Sequence, residues 1–281
     1  MVSVSVIIPC YNSAQTIERA IQSVAKQSLR PQEVIVIDDA SSDNTIEILQ
    51  SLQNHYGKDW LKLVMLAKNA GPSFARNQGW DLASQNYIAF LDADDAWHPQ
   101  KIELQYQWMI ANPNVAMSGS DGFFPPLHFL SYCSKILHYE DAMIVSITPN
   151  QILFSNFFVT PSVMLKRGLN YRFDPQKRYC EDHLLWMQIA VDHYPIYFFS
   201  YPLVYIFKSF GIGGLSQHLW EMRLGYIDNC WQLWKSRKIS FLMLSKLVIV
   251  TLLKFMVLTL FGPTTMSKYK NDWLARRGKQ S

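Results

Sequence analysis

The chain has 281 residues, 49% of them hydrophobic and 17% charged, a balance that supports a buried core and excludes a disordered chain. Its formal net charge of +4 is unevenly spread: from Lys235 to the C-terminus ten Lys or Arg face a single acid, Asp272, while the first 234 residues hold 16 basic and 21 acidic groups. A mildly acidic body with a basic tail argues against a nucleic-acid-binding protein and assigns an anionic partner to the tail alone.

The chain opens with MVSVSVIIP, which runs straight into a strand pattern without the cationic and apolar leader of an export signal, so the protein is expected to start in the cytosol. Residues 4–9 (VSVIIP) and 33–38 (EVIVID) are short, β-branched runs of the kind buried on both faces of a parallel sheet. A helical pattern over 14–28 separates them. A second helix over 43–54 leads to a strand at 61–66, and a third over 72–84 leads to a strand at 87–91. Such alternation predicts a doubly wound, mostly parallel α/β sheet whose ligands bind beyond the carboxyl ends of the strands. The polar stretches PCYN, DDASSD and DADD fall at those ends. Beyond residue 112 the alternation fails, and 122–139, containing FFPPLHF, looks like a loop-rich insertion. Order returns with a strand at 160–166 and a helix over 182–192. Cys10, Cys133, Cys180 and Cys230 form no CxxC pair, so neither a zinc site nor a disulfide framework is expected.

Residues 90–97 (FLDADDAW) place Asp92, Asp94 and Asp95 directly behind an apolar run. One account is a turn that caps a helix over 97–105, since Asp accepts from free backbone amides; it suits Asp95 best. The other is a hard divalent cation, which prefers carboxylate oxygens and shares its sphere with substrate phosphates. Asp39, followed by Ser41, Ser42 and Asp43, is either a turn residue or part of a ligand edge. Arg76 lies on the helix that follows the Asn69–Gly71 turn, near that same edge. Glu181 and Asp182 suit a helix N-terminus on dipole grounds alone.

The ordered set VIIPCYN, IDDASSDNT, NAGPSFARNQG and FLDADD resembles the family 2 glycosyltransferases, which have the nucleotide-sugar-binding A-type fold. FDPQKRYCEDHLLW (173–186) is similar to the family's second signature. Together these motifs cover roughly residues 3 to 216. The resemblance implies that Pro9, Tyr11 and Asn12 border the nucleotide, with Asp39 near the base and Arg76 beside it. It further implies that Asp92 meets the ribose or the metal, that Asp94 ligates Mg²⁺ or Mn²⁺, and that Asp182 is the general base. Glu181 and Trp186 become candidates for the acceptor side. In VYIFKSFGIGGLSQH, Lys208 takes the cationic role over the diphosphate, and Gly211, Gly213 and Gly214 give a lid. No His stands ahead of that loop; His98 and His218 are read as packing or surface residues. The implied domains are a nucleotide-sugar half (1–112), an acceptor half (113–216) and a helical basic extension (217–281).

The implied reaction is a single displacement with inversion, from a nucleoside-diphosphate sugar of the UDP type to a glycan acceptor, lipid-linked and in cell-surface polysaccharide synthesis. One metal to steady the leaving diphosphate and one base to take the hydroxyl proton suffice; retention would need a second carboxylate as nucleophile. The rivals are transfer to polyprenyl phosphate itself, and a non-catalytic nucleotide-sugar-binding protein.

Residues 241–261 (FLMLSKLVIVTLLKFMVLTLF) are long enough to cross a bilayer but contain Lys246 and Lys254. The lysines are expected to share a polar side with Ser245, and basic residues flank both ends. A helix lying on the cytoplasmic face of the membrane, peripheral or monotopic and held to anionic lipid, is the expectation. Packing on protein and a true span are the alternatives. Trp220, Trp231 and Trp234 are candidate interface anchors.

Overall fold

The computed structural model describes residues 1–123, 137, 143–208 and 217–261. Val4, Val6, Ile7 and Ile8 of strand β1 (Val2–Cys10) have no accessible surface, because β1 is covered on both faces and flanked on both edges. Strand β2 (Pro31–Asp38) and strand β4 (Tyr87–Phe90) lie parallel to it, Ile7 pairing with Ile35 on one side and Phe90 on the other. Strand β3 (Leu61–Met65) extends the parallel set beyond β2. On the other side of β4 come β8 (Met164–Lys166), β6 (Met117–Phe123), β9 (Ile196–Tyr205) and β5 (Ala96–Trp97), with β7 (Ile144–Ser146) paired to β9 off this path. Pairs β4/β8, β8/β6, β9/β5 and β9/β7 are antiparallel. The sheet is therefore parallel in its first half and mixed in its second.

The helices of the first half are α1 (Ile17–Ala25), α2 (Thr45–Tyr56), α3 (Pro72–Leu82) and α4 (Lys101–Ala111). Ile17, Ala20, Ile21 and Val24 of α1 recur at helical spacing and are all buried. Helix α3 begins on Pro72, whose missing N–H costs nothing in a first turn. It approaches β1 so closely that a Cβ on Gly79 would stand 2.5 Å from Ile7 Cγ2. Further on, α5 (Pro149–Phe154) starts at a reciprocal Thr148–Gln151 cap, and α6 (Glu181–Val191) follows a left-handed Cys180.

Three local expectations are corrected. Trp97 does not open a helix: it pairs with Val204 in β5 and its indole donates to the Pro161 carbonyl at 2.8 Å, so α4 starts at Lys101. The strand at 160–166 splits into a 3₁₀ turn (Thr160–Ser162) and the shorter β8. Strands β6, β7 and β9 were not foreseen. The first of these, MSGSDGF, lacks β-branched residues, and β9 contains Pro202, around which its pairing with β6 shifts register. The 122–139 stretch lies outside the described residues except for 122, 123 and 137.

The chain divides into two units, residues 1–217 and 218–281. The second holds helices α7 (Leu219–Lys235) and α8 (Phe241–Phe261). Lys246 and Lys254 of α8 do not share a polar side: Lys246 is exposed among Leu242 and Ile249, while Lys254 is half-buried near Arg223. Among the described residues no helix is long and apolar enough to cross a membrane.

Candidate functional site

A cleft of about 1280 Å³ opens at the carboxyl ends of β1, β2 and β4, where the parallel order reverses from β2 to β4 around β1. Its walls come from the turn after β1 (Pro9, Tyr11, Asn12), the turn after β2 (Asp39) and the start of α3 (Arg76), together with Asp92, Asp94 and Lys208.

The turns brace one another. Asp39 is buried, and its two carboxylate oxygens accept from the Ala70 and Gly71 amides at 2.7 and 2.8 Å. It thereby fixes the Asn69–Gly71 turn, where Gly71 sits at φ +87°. A carboxylate has lone pairs to spare after two such bonds, so Asp39 can still accept from a ligand in the cleft. Asn12, at φ +48°, is committed to the neighbouring turn: its amide donates to Ser41 Oγ and its Oδ1 accepts from the Ser42 amide at 2.8 Å. Tyr11 is 51% exposed. Ser73, which sequence patterns did not single out, also lines the cleft; its buried hydroxyl has no hydrogen-bond partner among the described residues.

Each of the three aspartates behind β4 has its own solution to their mutual repulsion. Asp92 pairs with Arg76 at 2.8 Å, and Asp94 with Lys208 at 2.7 Å. Asp95 turns inward, accepting from the Phe207 amide at 3.2 Å. Burial, and then the fields of Asp92 and Asp94, push its carboxyl up to about 8. The Arg19 guanidinium donates to the Asp94 carbonyl and stacks 3.6 Å from the Phe207 ring centroid, tying the end of β9 to this loop. Asp95 is thus a loop brace, as its turn reading has it, though it caps no helix.

Arg76 is the hub. It is buried, and besides Asp92 it contacts Glu181 at 3.2 Å. Burial works against its charge, but Asp92 and Glu181 outweigh burial and raise the guanidinium above its ordinary value. Burial and the adjacent Asp182 push Glu181 up to about 7, with Arg76 pulling the other way. Asp182 is the second residue of α6; its Oδ2 accepts from Thr160 Oγ1 at 3.2 Å and Asn156 Nδ2 at 3.5 Å. Neither Glu181 nor Asp182 lines the cleft itself; the segment leading to them, Pro175 to Arg178, does. Trp186 belongs to the core: it has no accessible surface and packs on Phe173, so it touches no acceptor. Gly211, Gly213 and Gly214 lie outside the described residues.

Among the described residues no three His, Cys, Asp or Glu side chains gather around one point that would hold a metal ion. Asp92 and Asp94 nonetheless fit Mg²⁺ or Mn²⁺ in the mode in which one or two carboxylates share the ion with substrate phosphates. Both are oxygen donors on the cleft wall, and both are now satisfied by cationic side chains, one of which, Lys208, is 61% exposed.

The family model for Glycosyl transferase family 2 matches residues 5–169. The UDP-Glc:alpha-D-GlcNAc-diphosphoundecaprenol beta-1,3-glucosyltransferase WfgD of Escherichia coli is 33% identical over 191 residues, 68% of this chain and 70% of WfgD. TuaG of Bacillus subtilis, a glycosyltransferase assigned to teichuronic acid biosynthesis, is 35% identical over 146 residues, 50% of this chain and 56% of its own length. Among solved structures, S. aureus TarS 1–349 in complex with UDP aligns with TM-score 0.64 at 20% identity, over 90% of this chain and 71% of that one. The mannosyltransferase PcManGT of Pyrobaculum calidifontis, in complex with GDP-Man and Mn²⁺, aligns with TM-score 0.63 at 17% identity, over 97% and 79%. At such identities the likeness is one of fold.

Proposed function

Because the chain belongs to glycosyl transferase family 2, we propose that its cleft takes a nucleoside-diphosphate sugar of the UDP type and passes the sugar, with inversion, to a hydroxyl of a lipid-linked glycan during cell-surface polysaccharide synthesis. The observation that carries this reading is the buried Arg76, which joins Asp92 on the cleft wall to Glu181, the neighbour of Asp182. One cation thus ties the carboxylates suited to a nucleotide to the helix that carries a base. WfgD is named for the donor UDP-Glc and the acceptor alpha-D-GlcNAc-diphosphoundecaprenol, and PcManGT was solved with Mn²⁺; both support the finer parts of the proposal.

Asp92 and Asp94 would hold Mg²⁺ or Mn²⁺, which when bound supplies Lewis-acid stabilisation of the charge on the departing diphosphate. Asp39 offers a carboxylate acceptor at the buried end of the cleft, suited to a base N–H, while Tyr11 presents an exposed ring to the base or ribose. Lys208, once displaced from Asp94, leaves an ammonium beside the cleft for a phosphate oxygen. Asp182 takes the proton of the attacking hydroxyl. Thr160 and Asn156 bond its Oδ2 and so fix its orientation.

The test is Asp182→Asn in the full chain, with donor affinity and transfer measured separately. Donor affinity is expected to hold while transfer falls by about 10² or more, as loss of a general base produces. Parallel loss of both would make Asp182 a structural residue. Undiminished transfer would favour polyprenyl phosphate as acceptor, since that group is already ionised. Product NMR with an α-linked donor is expected to show a β linkage, and retention would contradict the single displacement.

A further inference from the structure

The second unit buries few side chains. Of the six buried in it among the described residues, Cys230, Leu233, Leu244 and Leu247 are apolar and Asn229 and Thr251 are polar. Thr251 bonds the Leu247 carbonyl at 2.7 Å and also takes part in a side-chain hydrogen bond with Tyr226 of α7, so polar groups meet at the α7–α8 seam. On α8, Leu242, Ile249, Leu253 and Met256 stand at helical spacing and are each half or more exposed. On α7, Trp220, Leu224 and Trp231 form an exposed stripe that ends at Lys235. A helix pair in water shows mainly polar groups; this pair also leaves these seven large apolar side chains at least 46% exposed.

The turn between the helices says which solvent the exposed face meets. The Trp231 and Trp234 rings lie 4.8 Å apart with planes tilted by 50°, and Trp234 meets Phe241 edge-on at 6.0 Å. Lys235, Arg237 and Lys238 lie in this same turn, and Lys246 stands within the apolar face itself. An aromatic cluster ringed by cations suits the headgroup level of a bilayer. Two copies of this chain meeting face to face would instead bring these like charges together, which costs free energy.

We propose that the α7–α8 hairpin docks on an anionic lipid surface, with Leu242, Ile249, Leu253 and Trp231 in the acyl boundary and Lys235, Arg237, Lys238 and Lys246 at the headgroups. Apolar burial holds the hairpin in place and anionic lipid strengthens the hold, so salt weakens binding without ending it. This inference does not depend on the transfer reaction, because none of these residues belongs to the cleft.

The full chain, floated with vesicles of phosphatidylcholine alone or mixed with phosphatidylglycerol, is expected to bind the mixed vesicles far more strongly. Ile249→Glu combined with Leu253→Glu should lower partitioning by about tenfold or more at any salt, with helical circular dichroism and donor hydrolysis unchanged. Arg237→Ala combined with Lys238→Ala should remove mainly the salt-sensitive part. As a reading that requires no change in the apolar face, brominated lipid should quench Trp fluorescence in the native chain and quench it less in Trp231→Phe. The proposal is overturned if the chain floats with neither vesicle, if the glutamate pair leaves partitioning unchanged, if brominated lipid quenches nothing, or if the chain is a stable dimer that the glutamate pair dissociates.

Discussion

Arg76 stands between two carboxylates that sequence distance separates by 16 and 105 residues. Only the first of these partners is suggested by the motif order, because Asp92 and Arg76 both lie at the shared strand edge. Glu181 reads equally well as a helix N-terminal acid, and the pairing became visible only in three dimensions. Asp92 still pairs with Arg76 when Glu181 is changed, and burial already favours the neutral form of Glu181. Glu181→Gln is therefore expected to cost no more than about 1 kcal/mol in urea denaturation, and to raise the KM for acceptor more than that for donor; equal KM values would confine Glu181 to stability. Trp186 marks the limit of motif reading at this scale. Its place beside the acidic pair suggested an acceptor contact, yet the same Leu-Trp spacing on α6 is what a core-facing helix needs, and its ring is buried. Asn12 likewise borders the cleft but spends its side chain on the 41–42 turn, a use no pattern announces.

At the scale of elements, β1 and β2 were legible because each is a buried β-branched run followed by turn residues, while the shorter β3 and β4 were legible from their alternation with the helical segments around them. Boundaries moved by a few residues where caps are weak, as at α1, whose N-cap Thr16 makes no side-chain bond to the helix's free amides. The later strands were opaque because β6 is rich in Gly and Ser and β9 carries a proline. Their pairing with each other and with β8 supplies what local propensity lacks. Two predictions belong here. Gly79→Ala puts a methyl against Ile7 in the α3–β1 contact, where neither element can retreat, so a loss of about 1–3 kcal/mol is expected in thermal or urea unfolding. A neutral result would mean that α3 slides freely on the sheet. Lys101 of α4 is fully buried, bonded to Gln105 Oε1 at 2.7 Å and held 4.2 Å from the Trp97 ring centroid. Burial lowers it well below its ordinary 10.5, so the unfolded chain binds a proton that the folded one releases. Stability should therefore rise with pH from the lowered value toward 10.5. Lys101→Met should flatten that rise in a series of melts, and an unchanged slope would show that the ammonium stays charged inside.

Over the whole molecule, the split of charge between body and tail is matched by a split into two units, the first holding the cleft and the second the α7–α8 hairpin. Composition announced the basic tail, and the length of the apolar run announced a helix. It could not announce which side of that helix would face outward, because the lysines at 246 and 254 point to different surroundings once α7 is in place. The central claim for the first unit is that Asp92 and Asp94 hold a divalent cation against a nucleotide diphosphate. Calorimetric titration of the full chain and of Asp94→Ala with UDP, each with and without Mn²⁺, addresses it most directly. The account predicts that Mn²⁺ strengthens UDP binding to the native chain and that Asp94→Ala loses this gain while remaining folded. UDP affinity indifferent to Mn²⁺, or a gain from Mn²⁺ that survives in Asp94→Ala, would contradict it.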